Sequence, residues 1–132
     1  PSRKSVIRTL VITFKLPRVI LITSLVYLGR WRHCHRSASG ISPCAPHRLV
    51  LTSMIIAAKH LYDDPPRNAD WVRLLREKDI RHFCVERINS MEQEMLLDLG
   101  WNTEVYPADV RRVSEPVLHI LEKEIRDYAL QY

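Results

Sequence analysis

Acidic residues are missing from the first 62 positions: ten Lys and Arg stand there before the first carboxylate, Asp63. Glycine is almost as scarce, at three in 132 residues, which leaves a turn-rich β fold without its usual punctuation. Cysteine is limited to Cys34, Cys44 and Cys84, an odd number without paired spacing. That excludes a disulfide framework and favours a reducing compartment. Long apolar runs are absent too. The greasiest stretch, Val6 to Gly29, is cut by Arg8, Lys15, Pro17 and Arg18 into pieces shorter than the roughly 20 residues a spanning helix needs. No small-residue cleavage site follows a clean apolar core, so a signal peptide is not expected. The chain opens at Pro1, not Met, which reads as a fragment or an incomplete gene model. Neither a Gly-rich phosphate loop nor a nucleophile elbow is present, and no catalytic constellation stands out.

What is there suits one globular domain. Hydrophobic residues make up 46% and charged residues 27%, enough for a modest core. The formal charge of +5 conceals an N-terminal half near +10 and a remainder near −5. Such asymmetry fits either an acidic partner, nucleic acid included, or a solvated arginine-rich face.

Periodicity gives five or six helical segments and no obvious strand pairs. Ser5 to Phe14 is β-branched, and by propensity alone could be a strand. Pro17 suits the first turn of a helix to about His33, with Val19, Ile22, Leu25, Val26 and Leu28 feeding the core. Residues 36–45 read as a loop. Pro46 starts a helix whose apolar residues, from Leu49 to Leu61, cover nearly every face, so it belongs at the centre. Asp63-Asp64-Pro65-Pro66 stops it. Asn68 reads as the N-cap of a short helix holding Trp71, Val72, Leu74 and Leu75. Val85, Ile88, Met91, Met95, Leu96 and Leu99 define another helix, with Gly100 as C-cap. Pro107 opens a last segment that Pro116 splits or restarts, with Val117, Leu118, Leu121, Ile125 and Tyr128 on its apolar face. The expected architecture is an all-α bundle around a buried central helix.

Two charges break this pattern. Lys59 ends the apolar run LVLTSMIIAAKHLYDD, and Glu92 interrupts the stripe of INSMEQEMLLDLGWN. Either both snorkel from helix ends, where an exposed pair contributes about 0–1 kcal/mol, or they pair half-buried and keep hydrogen-bonding capacity for a partner's backbone.

The residues around them decide which family to consider. Ser24 to Leu28 with Arg30, then His47-Arg48, then Ala58, Lys59, Leu61 and Asp63, then Asn68 and Trp71, then Asn89, Met91, Glu92, Trp101 and Asn102 follow in a fixed order. Over about residues 5 to 105 the chain resembles a cyclin box, most closely that of the fungal phosphate-system, Pcl-like single-box cyclins. The resemblance implies a cyclin-fold bundle of five to six helices over 1–105, with a first helix that reads as truncated, and a C-terminal helical extension over 106–132. It implies a regulatory subunit, not an enzyme, that forms a heterodimer with a cyclin-dependent protein kinase and docks on its regulatory αC helix. Lys59 and Glu92 would hold each other and the kinase; His60, Leu61, Asp63, Leu96 and Thr103 would contact it. No cofactor, small-molecule substrate or membrane is implied, and the expected compartments are nucleus and cytoplasm. Phosphate sensing, glycogen control, polarity and cell-cycle entry all remain open as pathways.

The chain departs from the family pattern at several positions. His60 stands where an aromatic is usual, Thr103 where an apolar residue is, and Gly29 where many cyclins carry Asp. Ala45 and Cys84 replace the usual Thr or Ser caps, at up to roughly 1 kcal/mol each. These changes bear on affinity and stability, and a diverged, non-binding copy is a third reading. The alternative function is a cyclin-fold transcription or nucleic-acid adaptor using the basic N-terminal half. A zinc site from His33, Cys34, His35, Cys44 and His47 is opposed by Arg30, Arg32, Arg36 and Arg48 around it. Trp31, Trp71 and Trp101 read as core or half-core residues rather than base-stacking platforms, and His119 as structural or solvent-facing.

Overall fold

A computed structural model describes residues 9–34, 45–116 and Leu130. Among them there are six helices and no strand. These are α1 (9–13), α2 (Arg18–Cys34), α3 (Ala45–Leu61), α4 (Asn68–Glu77), α5 (Val85–Asp98) and α6 (107–116). The loop expected at 36–45 lies almost wholly outside the described residues. So do the first residues of the Ser5–Phe14 segment, His35, Cys44, and everything expected from Val117 to Tyr128, His119 included.

α3 is the central helix because nothing on its inner turns is charged. All eight residues from Leu51 to Ala58 are buried. The two polar ones close on their own helix: Thr52 Oγ1 donates to Arg48 O at 2.6 Å and Ser53 Oγ to Val50 O at 2.7 Å. A hydroxyl satisfied this way enters a core cheaply. α2 and α5 pack on α3, and α4 packs on α5.

The segment around Thr9–Phe14 is helical where described, against its β propensity. Its tertiary setting decides this: Leu10 is buried in the core, and the Phe14 ring stacks on Trp71 at 3.9 Å with an interplanar angle of 26°. α2 also presents a different face from the one its apolar residues mark. Val19 and Leu25 are exposed and Ile22 and Leu28 only partly covered. The buried stripe is Ile20, Thr23, Ser24, Val26 and Tyr27. Ser24 Oγ donates to Ile20 O at 2.8 Å, and the Tyr27 hydroxyl reaches Thr103 O at 2.8 Å, so these polar side chains are buried with partners. Likewise Leu61 ends α3 exposed rather than in the core.

Helix ends follow local chemistry. α4 is capped by Arg67, not Asn68. The Arg67 N–H donates to Asp70 Oδ2 at 2.8 Å, which closes half of a capping box and puts a carboxylate at the positive helix end. That backbone N–H, with Arg67 and Arg73, holds the Asp70 carboxyl below the usual range. α5 starts at Cys84 without a side-chain cap bond, as its residue type foretells. At its other end Gly100, at φ 63°, turns the chain through a Schellman pair: Gly100 N–H to Leu97 O at 3.0 Å and Trp101 N–H to Leu96 O at 2.8 Å. Asp79 performs the same turn after α4 at φ 62°, a conformation Asp tolerates better than most residues.

Candidate functional site

Three helices bring the site together. Lys59 lies in the last turn of α3, where a cation suits the helix dipole, and Glu92 in the middle of α5. Lys59 Nζ reaches Glu92 Oε1 at 2.9 Å and Oε2 at 2.6 Å, with side chains 38% and 15% exposed. This is the half-buried, oriented arrangement, not two separate snorkelling side chains. From α4, Asn68 Nδ2 donates to Asn89 Oδ1 at 2.6 Å and to Glu92 Oε1 at 3.3 Å. Sequence reasoning placed Asn68 at a helix cap; the structure turns its amide onto the ion pair instead. Its pattern, a small amide before an apolar helix, carries no signal that separates the two roles.

The pair keeps unused capacity. An ammonium has three protons and a carboxylate about four lone-pair sites. Lys59 donates to two oxygens, and Glu92 receives Lys59 twice and Asn68 once. One proton and one lone pair remain uncommitted among the described residues.

Around the pair, His60 Nδ1 lies 3.3 Å from Thr103 Oγ1, so two of the departing positions meet each other. Leu61 ends α3 exposed, and Asp63 follows, also exposed, just beyond it. Leu96 faces inward against the core, while its neighbour Leu97 is 63% exposed. Trp101 is not a core residue: it stands 61% exposed at φ 60°, immediately beyond the α5 turn, while Trp71 is the one fully buried. Trp31 packs partly buried against the core. The expectation of a core or half-core place fails for Trp101, because the left-handed turn at Gly100 and Trp101 carries it out to the surface.

α2 fastens the segment after α5. Besides the Tyr27 bond to Thr103 O, Arg30 donates to Asn102 O at 3.2 Å, Glu104 O at 2.7 Å and Asp109 Oδ2 at 3.1 Å. Burial pushes the Tyr27 phenol up to about 12. The Tyr106 backbone N–H, aided by Arg30 and Arg112, holds the Asp109 carboxyl below its usual range. Arg30 is thus engaged within the fold, which removes one cation from the basic surface counted from the sequence. No group of three or more metal-ligating side chains gathers among the described residues.

The order of residues along these helices finds its match in a family model. Cyclin, N-terminal domain, covers residues 4–104. The chain belongs to the cyclin N-terminal-domain family. Among curated relatives of this cyclin chain, PHO85 cyclin-1 of Saccharomyces cerevisiae is 29% identical over 126 residues, covering 95% of this chain and 43% of the relative. PHO85 cyclin-9 of the same yeast is 28% identical over 115 residues, covering 83% and 35%. The cyclin chain therefore spans less than half the length of the curated relatives it matches. No solved structure matches it.

Proposed function

We propose that this cyclin-box chain is a regulatory subunit that binds and activates a cyclin-dependent protein kinase, of the kind named in its two yeast relatives. The observation that carries the reading is the Lys59–Glu92 pair, contributed by two packed helices and oriented at the surface with hydrogen-bonding capacity to spare. Such a pair fits the main chain beside a kinase αC helix. Charge-assisted hydrogen bonds there contribute more than neutral ones, about 1.5–3 kcal/mol each. Pressing αC inward brings the kinase's own glutamate onto its catalytic lysine, so the chemistry belongs to the kinase and this chain supplies the contact. In this reading His60, Leu61, Asp63 and Thr103 extend the contact, with exposed Trp101 adding apolar area, while Leu96, which packs against the core, supports that surface from behind.

The test is co-purification of a kinase with the tagged chain from fungal cells. The wild type is expected to bring down a cyclin-dependent kinase with activity; Lys59→Ala and Glu92→Ala are each expected to lose at least tenfold of it. Full recovery of the kinase by both variants would overturn the assignment. The nucleic-acid reading loses Arg30 from its basic surface, since that side chain is held by Asn102 O, Glu104 O and Asp109.

A further inference from the structure

Beneath the Lys59–Glu92 pair lies a third polar side chain whose position has no capping explanation. Asn68 is the first residue of α4, yet Arg67 is the cap and Asp70 receives the cap's backbone N–H. Only 8% of Asn68 is exposed. Its Nδ2 serves α5 through Asn89 Oδ1 and Glu92 Oε1, and its Oδ1 is buried with no hydrogen-bond partner. A buried acceptor without a donor destabilises a fold, and an apolar residue of similar size at this position would avoid that cost. The acceptor side therefore gives no reason for an amide here; the donor side does. With Oε1 held from below by Asn68, Lys59 spans both carboxylate oxygens, and the free proton and lone pair keep a fixed direction. Without that donor, the carboxylate would follow the flexible lysine stem.

We propose that Asn68 is a positioning residue for docking: its amide fixes the Glu92 carboxylate in the orientation that presents the Lys59–Glu92 pair to the kinase main chain. This rests on the kinase-docking reading above, and the test separates the two. In the free protein, the Lys59 ammonium is expected to give a slowly exchanging signal in proton–nitrogen spectra, which Asn68→Ala abolishes. With the kinase, Asn68→Ala is expected to lose roughly tenfold in affinity, the size of one hydrogen bond to a charged group. In a Glu92→Ala background it is expected to lose nothing further, because it acts through Glu92. Asn68→Asp keeps the size and suits the first turn of α4, so a merely structural role predicts full affinity for it. Positioning predicts a loss larger than that of Asn68→Ala, since the donor becomes a like charge. Persistence of the lysine signal in Asn68→Ala, additive losses in the double variant, or full affinity in Asn68→Asp would each overturn the proposal. If instead the lysine signal is lost while Lys59→Ala and Glu92→Ala bind kinase fully, positioning stands and the docking reading falls.

Discussion

Removing either member of the Lys59–Glu92 pair is expected to weaken kinase binding alike but to destabilise the free protein unequally. Lys59→Ala strands a carboxylate that is 15% exposed and keeps a single donor, Asn68 Nδ2, at 3.3 Å. Stripping one partner from a fully buried pair costs about 3–5 kcal/mol and from an exposed pair about 0–1. A half-buried case with one remaining hydrogen bond falls between, at about 1–2 kcal/mol. Glu92→Ala leaves Lys59, 38% exposed on a flexible stem, free to carry its ammonium into water, while Asn68 keeps Asn89 Oδ1 at 2.6 Å. That change costs about 0–1 kcal/mol. For a chain of this size each kcal/mol moves Tm by about 3–5 °C. Scanning fluorimetry at neutral pH and low salt is therefore expected to place Lys59→Ala roughly 3–5 °C below Glu92→Ala. The double variant should recover part of the loss, because no charge remains stranded. A Glu92→Ala protein that melts as low as Lys59→Ala, or lower, would refute the reasoning, since it would mean that the buried end of the pair is the lysine.

Tyr27→Phe deletes the hydroxyl bond to Thr103 O and is expected to cost about 0.5–1.5 kcal/mol in urea unfolding. Because the folded-state pKa of Tyr27 is raised from 10.0 to about 12, its contribution is complete below pH 10 and lost as pH rises toward 12. The alkaline fall in stability should therefore be shallower in Tyr27→Phe than in the wild type. Asp109 has the opposite sign: its folded pKa is lowered, so its contribution is present above about pH 4 and lost on further acidification. Asp109→Asn should lower the urea midpoint at neutral pH and flatten the loss between neutral and strongly acidic solution. Ile55→Ala, at a position with no exposure on α3, is expected to cost about 2–5 kcal/mol by the same assay, and a loss under about 1 would contradict the central place of that helix. Gly100→Ala should cost about 1–2 kcal/mol, since φ 63° strains any residue with a Cβ although no atom lies near enough to clash.

The sequence by itself determined where α2 to α5 run and singled out Lys59 and Glu92; that the two meet came from the fold. Prolines and apolar spacing bound α2 to α5 to within a few residues, and a charge inside a greasy stripe singled out Lys59 and Glu92, because both signals are local. α3 was recognisably central for the same reason: a run without charge has no face to give to water. Tertiary structure alone decided the rest. Ser24 and Tyr27 point inward on α2 while Val19 and Leu25 point out, because a hydroxyl can be buried once a carbonyl is there to receive it, and for Tyr27 that carbonyl belongs to Thr103. Arg30 finds Asp109 79 positions away. Asn68 passes over the cap its position offers and turns to Glu92, and Trp101 leaves the core on a left-handed turn. Spacing along a chain records which side chains prefer to avoid water; whether a polar one is satisfied depends on neighbours that only folding supplies.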